Sequence, residues 1–397
     1  MTLINKILKQ SLIGMTCKTI SIIVLFSATP FLIESLGIEG YGVWAAYYSM
    51  VGWGILVDFG IGSVLINKLS NCQRQRDRYI LSAIIVYSVI ILLLLSTIFI
   101  MFNYFSFPII IMILFIGLSP LLAIVEKVYI AQEKSYIVDL IQLIVSIIFL
   151  SAFFISGYST VISILIIYVI TSFLLRMFCL IYFINKFSTK VFNYNRLRKT
   201  VFILLYRGKD FFFLQIGAIF LMSIERIVIL NIYGEEVAAS YDLVVKCFLV
   251  LLVFSNIFSR GVWGTVSSIK KGDSNLNDLF KFLNRLCLYS FMLFFFLSIL
   301  APYFIYWWVG VKINFTFSVS IAFWSYLQSV FVLICNLMNG LNLQKTQKPF
   351  YMLSILFKAL LVLAVYYFSL PVNAYILLSA LLLIPYITYV YRYSNKI

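Results

Sequence analysis

The chain contains no histidine among its 397 residues, so the commonest proton relay and metal ligand is missing. Its six cysteines (Cys17, Cys72, Cys179, Cys247, Cys287 and Cys335) never form a Cys-x-x-Cys pair. Neither a disulfide framework nor a zinc spacing is present. Most of them lie within or beside apolar runs, where cysteine behaves as a small hydrophobe. A Gly-x-x-x-x-Gly-Lys-Ser/Thr phosphate loop is also absent, which excludes ATP hydrolysis at such a loop. Charge is scarce, at 11% of residues against 63% hydrophobic ones, and the mean hydropathy is +1.06. A water-soluble domain carries about a quarter charged residues, so most of this surface is built for another solvent.

What is present is a series of apolar runs, such as Leu81 to Met101 and Phe282 to Ala301. Crossing hydrocarbon takes about 20 such residues, and lipid satisfies no free backbone N–H or C=O, leaving helices or closed barrels. Barrel strands would alternate over about 10 residues. Residues 84–100 are apolar on every face, which selects helices. The expectation is an all-α integral membrane protein with about twelve transmembrane helices, at 11–33, 42–66, 79–102, 108–130, 136–157, 160–184, 209–231, 237–259, 282–302, 315–337, 350–370 and 373–391. No small-residue cleavage site follows the first run, which reads as retained rather than as a signal peptide.

The net charge of +16 raises the question of an acidic partner. Position answers it. Of the 30 basic residues, 24 fall in alternate connections: the N-terminus, 67–78, 126–135, 185–209, 260–285, 345–348 and the tail. The opposite connections hold only Lys312. This is the positive-inside pattern. It predicts both termini in the cytoplasm and argues against nucleic acid as a partner. Tyr303, Tyr306, Trp307 and Trp308 crowd the outer end of span 9, as an interfacial belt does.

The basic segment 185–208 separates six spans from six, predicting a lobe over 1–184, a cytoplasmic linker over 185–208 and a second lobe over 209–397. The outer loop Glu34-Ser-Leu-Gly-Ile-Glu-Gly-Tyr41 is similar to Tyr233-Gly-Glu-Glu-Val-Ala-Ala-Ser-Tyr241, and Tyr129–Tyr136 corresponds in place to Leu341–Tyr351. These pairs suggest a duplicated lobe in parallel orientation.

Five basic residues remain inside spans. An intramembrane charge is a functional candidate by default, weakened near a span end because Lys and Arg snorkel. Lys246 is the deepest, and Asp242 lies four residues before it on the same helical face. They form either a self-paired structural couple or a cationic cavity site with a titrating neighbour. Asp58 sits in the glycine-rich Gly52-Trp-Gly-Ile-Leu-Val-Asp-Phe-Gly-Ile-Gly62, with Lys18 of span 1 as a partner to consider. Glu225 and Arg226 are adjacent in span 7 and point about 100° apart, so they do not pair with each other. Arg176 and Lys358 read as snorkelling residues, and Asp139 as favouring the first turn of its helix.

Gly37-Ile-Glu-Gly-Tyr-Gly-Val43 followed by Asp58-Phe-Gly-Ile-Gly62 resembles the N-terminal signature of bacterial polysaccharide exporters. Glu225 through Tyr241, then Lys246, is similar to the signature of that family's spans 7 and 8, with Glu225 where the family often has Asp. Asn339-Gly-Leu-Asn-Leu-Gln-Lys345 resembles its third. The family is the Wzx-type O-antigen flippase, within the multidrug/oligosaccharidyl-lipid/polysaccharide (MOP) exporter superfamily. The resemblance implies two six-helix lobes around a central cleft lined by spans 1, 2, 7 and 8. It implies a bacterial inner-membrane flippase, not an enzyme and without cofactor or metal, that moves an undecaprenyl-diphosphate-linked glycan between leaflets. A polysaccharide polymerase and a chain-length regulator would be partners beside membrane lipid. On this view Lys18, Arg226 and Lys246 attract the diphosphate, while Asp58, Glu225 and Asp242 couple transport to an ion gradient. A drug or cation antiporter of the same superfamily would prefer an acidic, aromatic cavity. An O-antigen polymerase or other membrane glycosyltransferase would need a sizeable outer loop with catalytic groups, whereas 303–314, the longest here, carries no acid.

Overall fold

The computed structural model describes residues 3–56, 58–71, 75–100, 107–157, 160–185, 194–266, 275–341 and 343–394. Its described helices are α1 (Leu3–Leu56), α2 (Ile61–Asn71), α3 (Arg76–Ile100), α4 (Phe107–Leu122), α5 (Ile124–Ala131), α6 (Tyr136–Ser156), α7 (Val161–Ile184) and α8 (Tyr194–Met222). Then come α9 (Glu225–Tyr233), α10 (Glu235–Val266), α11 (Asn275–Val309), α12 (Phe315–Gly340), α13 (Gln344–Phe368), α14 (Val372–Leu381) and α15 (Ile384–Ser394).

Each expected span corresponds to helix, although spans and helices are not one to one. At 54 residues, α1 is about 81 Å long at 1.5 Å per residue, far more than one crossing of a roughly 30 Å hydrocarbon layer. It is two arms meeting at Gly37, whose φ of 72° and ψ of 171° are not helical. Span 2 breaks again before α2, where Phe59 (φ 53°) and Gly60 (φ 72°) turn left-handed. Span 4 is shared by α4 and α5, span 7 by α8 and α9, and span 12 by α14 and α15; the α8–α9 pair is bent by 40°. Among the described residues ten helices are long and apolar enough to cross a membrane, or eleven with that bent pair taken as one span. The chain is an all-helical, multi-pass membrane protein.

Most of the stretch expected as a linker, 185–208, is helical. Asn185 caps α7, and from Tyr194 the chain is already the first turns of α8; residues 186–193 lie outside the described residues. Leu197, Leu204 and Phe211 recur every seven residues and are buried, and α8 packs on α2 and α3. An apolar stripe therefore holds this basic stretch as helix, continuous with span 7.

The two chain halves repeat some backbone detail. Gly37, between spans 1 and 2, and Gly234 (φ 94°, ψ 174°), between spans 7 and 8, share one conformation that side chains beyond glycine rarely adopt. Left-handed residues also end α6 (Gly157) and α13 (Ser369), at the same place in each half. Side-chain caps start α7, where Thr160 Oγ1 accepts from Ser163 N, and α12, where Asn314 Oδ1 accepts from Thr316 N. Around these, α1 packs along α10 and α6, α10 along α12, and α2 against α5 and α8.

Candidate functional site

Span 8 supplies the centre of the site. Asp242 and Lys246 are one turn apart on α10, so their side chains meet, with Lys246 Nζ 3.5 Å from Asp242 Oδ2. The i,i+4 couple expected at these positions is formed. The burial of both requires further partners, which come from other spans. Lys246 Nζ donates to Thr29 Oγ1 at 2.8 Å and to the Tyr41 hydroxyl, both on α1. Tyr41 in turn donates to Asp242 Oδ2 at 2.6 Å. Arg226, at the start of α9, donates from Nε to Asp242 Oδ1 at 2.9 Å. The ammonium of Lys246 also lies 4.8 Å from the Tyr41 ring and 5.7 Å from that of Trp44, a cation–π arrangement. Spans 1, 2, 7 and 8 are thus tied together at one buried cluster, and three of the six candidate residues are in it.

Glu225 precedes Arg226 but faces elsewhere. It is 1% exposed and accepts from Lys358 Nζ at 2.7 Å. Lys358 donates also to Ser379 Oγ at 2.7 Å and lies 5.0 Å from the Tyr375 ring. The reading of Lys358 as a snorkelling residue is overturned: it too is 1% exposed and is the counter-ion of a carboxylate in another span. The same correction applies to Arg176, buried with Nε 3.0 Å from Glu126 Oε1 and bonded to Ser172 and Gln142. Glu225 and Arg226 thus do not pair with each other, and each has a partner on another helix.

Asp58 belongs to a third group at the far end of span 2. Its cationic partner is Lys127 of α5, at 3.0 Å, and not Lys18 as first considered. Gln215 of α8 donates to Asp58 Oδ1 at 2.6 Å, and the Gly60 N–H donates to the same oxygen at 3.0 Å. The sharp turn at 58–60 explains the arrangement, since it aims the carboxylate back at its own backbone and across to α8. Nearby, Trp263 Nε1 donates to Asn67 Oδ1 at 2.7 Å and Asn67 Nδ2 to the Asn339 carbonyl at 3.2 Å. The two halves of the chain are therefore hydrogen-bonded to each other near both ends of span 2. Lys18 is half-buried on α1, eleven residues and so about 16 Å along that arm from Thr29, apart from the Lys246 cluster. Among the described residues no three His, Cys, Asp or Glu side chains come together as a metal site.

Counting charge separates the groups. Glu225 with Lys358, Glu126 with Arg176 and Asp58 with Lys127 are one to one. Asp242, by contrast, serves two cations, Arg226 and Lys246. Sequence reasoning missed Tyr41 and Thr29 and misread Lys358. Tyr41 carries a signal as the residue closing the glycine-rich outer loop, and Lys358 as a basic residue inside a span.

Solved transporters share this architecture over the whole chain. An outward-facing multidrug-resistance MATE-family transporter of the MOP superfamily matches with a TM-score of 0.69 at 11% identity, covering 100% of this chain and 97% of that one. The fold is that of the MATE transporters. A MOP-superfamily transporter from Pyrococcus furiosus, described as having a binding pocket of reversed polarity that suggests a different function, matches with a TM-score of 0.70 at 11% identity, covering 100% and 96%. Within this MATE fold, spans 1, 2, 7 and 8 are the ones joined by the Lys246 cluster. By sequence, a Yersinia pseudotuberculosis protein provisionally named as an O-antigen export protein is 38% identical over 71 residues, which is 17% of this chain and 16% of that protein. No protein-family profile matches.

Proposed function

We propose that the protein is a flippase that carries an undecaprenyl-diphosphate-linked oligosaccharide across the bacterial inner membrane by rocking of its two halves, 1–184 and 209–397. The observation that carries this reading is the two-to-one charge balance at Asp242. Burying an unmatched cation is costly, and the cost falls when an anionic ligand arrives. Arg226 and Lys246 sit where spans from both halves meet, so a diphosphate bound there would contact both. The MATE fold and the 71-residue match to an O-antigen export protein point the same way. An excess of positive charge disfavours a cationic drug as cargo.

The glycan and diphosphate cannot enter hydrocarbon unaided, so they travel in the polar seam between halves while the lipid tail stays in the bilayer. Asp242 and Asp58 accept bonds from the opposite half, through Tyr41 and Gln215, and change partners when the halves move; with Glu225, whose partner Lys358 lies in its own half, they couple that movement to an ion gradient. A polysaccharide polymerase and a chain-length regulator take the product onward. In a deletion strain, surface polysaccharide is lost and lipid-linked repeat units accumulate on the cytoplasmic side. Complementation with Lys246→Ala at normal protein level leaves that phenotype in place. Full rescue by this variant would remove the assigned role of Lys246, and surface polymer persisting in the deletion strain without a second flippase would remove the function.

A further inference from the structure

The first four turns of α8 carry a feature that transport through the seam does not use. Residues 194–209 hold five basic side chains (Arg196, Arg198, Lys199, Arg207 and Lys209) and no acidic one. One face of this stretch, through Leu197, Leu204 and Phe211, is buried against the protein. The opposite face bears Arg198, Phe202, Tyr206 and Lys209 at spacings of four, four and three residues, all exposed. Phe202 is 68% and Tyr206 57% exposed. Their rings nevertheless stack on each other, 6.0 Å between centroids and 14° from parallel. The Lys209 ammonium lies 4.5 Å from the Tyr206 centroid.

Depth decides what covers this face. Counting about 20 residues of hydrocarbon along the helix from Tyr233 reaches roughly residue 213. The face from 209 back to 202 then lies about 6 to 17 Å further on at 1.5 Å per residue, at and just beyond the headgroup layer. Hydrocarbon would suit the rings but not Arg198 and Lys209; water would suit the cations but not two large exposed rings. The positive-inside bias accounts for the sign of the charge and leaves the aromatic pair unexplained. A layer of anionic headgroups satisfies both, with phosphates on the cations and amphipathic rings at the interface. We propose that the Arg198–Phe202–Tyr206–Lys209 face of α8 binds anionic phospholipid headgroups, and that this contact fixes the depth of span 7 and with it of Glu225 and Arg226.

The test uses the full chain with Phe202→Trp, placed in vesicles of phosphatidylcholine containing phosphatidylglycerol. One or the other lipid is brominated near the headgroup, and the signal of the unsubstituted protein is subtracted. Brominated phosphatidylglycerol is expected to quench the added tryptophan about twofold more than brominated phosphatidylcholine at equal mole fraction, with the difference shrinking in high salt. Adding Arg198→Gln and Lys209→Gln on that background equalises the two lipids. Tyr206→Trp serves as reporter if Phe202→Trp fails to fold. Equal quenching by the two lipids, no quenching by either, or a preference that survives the double substitution overturns the proposal. None of these readouts depends on the transported substrate.

Discussion

The Tyr41 hydroxyl donates to Asp242 Oδ2 at 2.6 Å while accepting from the Lys246 ammonium. One oxygen thus joins span 2 to both charged residues of span 8, and the bond links residues 201 positions apart in the chain. With the Lys246–Thr29 bond, it holds the two halves together around the unmatched charge.

Removing that oxygen tests its weight. Tyr41→Phe leaves Lys246 short of one acceptor and Asp242 short of one donor inside the protein. The expected loss is about 1–3 kcal/mol, read as a lower unfolding temperature in detergent. Asp242→Asn should cost more, about 3–5 kcal/mol, because two cations lose their only carboxylate. An Asp242→Asn protein as stable as Tyr41→Phe would show that the charges are hydrated rather than paired.

Glu225 and Lys358 form a buried pair whose partners are 133 residues apart. Glu225→Gln or Lys358→Met alone leaves a buried charge uncompensated, at about 3–5 kcal/mol each. The double substitution should recover a large part of that loss, giving a coupling of about 1–3 kcal/mol in a double-mutant cycle. Additive effects would mean that the pair is not formed in the bilayer.

Asp58 differs, because Gln215 and the Gly60 N–H already satisfy Oδ1. Asp58→Asn keeps an acceptor at that position, but it loses the attraction to Lys127, whose side chain is partly exposed, and turns an amide NH2 toward that ammonium. Because Asp58 is itself buried, the expected cost is about 1–3 kcal/mol, below that of either buried-pair substitution, and the same unfolding assay ranks them.

A Cβ added to Gly60 would lie 2.0 Å from the carbonyl oxygen of Gly208, on backbone that is already left-handed. Gly60→Ala is therefore expected to yield little folded protein. At Gly52 a Cβ meets nothing within 4 Å, and Gly52→Ala should elute and unfold like the unsubstituted chain. Comparable yields of the two variants would sink the close approach of α2 and α8.

Spans were legible because hydrocarbon forces a long apolar run on any crossing helix, and the Asp242–Lys246 pair because a helix fixes what lies one turn away. Depth along a helix does not say which way a side chain points. Lys358 and Arg176 were therefore read as reaching for the membrane surface when they reach for Glu225 and Glu126. Their partners lie in other spans, and nothing in linear spacing reports a neighbour across a tertiary contact. The basic charge of 194–208 suits a linker, whereas its buried stripe, Leu197 and Leu204, holds it as the start of α8.

At Gly60 and Gly208 two backbones touch with no side chain between them, and contact without interlocking side chains leaves rotation free while forbidding separation. Tyr41 lies 15 residues before Leu56, the last helical residue ahead of the turn at 58–60, a lever arm of about 22 Å. A turn of about 10° at the foot of that arm displaces the Tyr41 end by about 4 Å, more than the length of any hydrogen bond there. A small tilt at this fulcrum is thus enough to undo every bond between the Tyr41 hydroxyl and span 8 at once, which makes their release all-or-none rather than gradual.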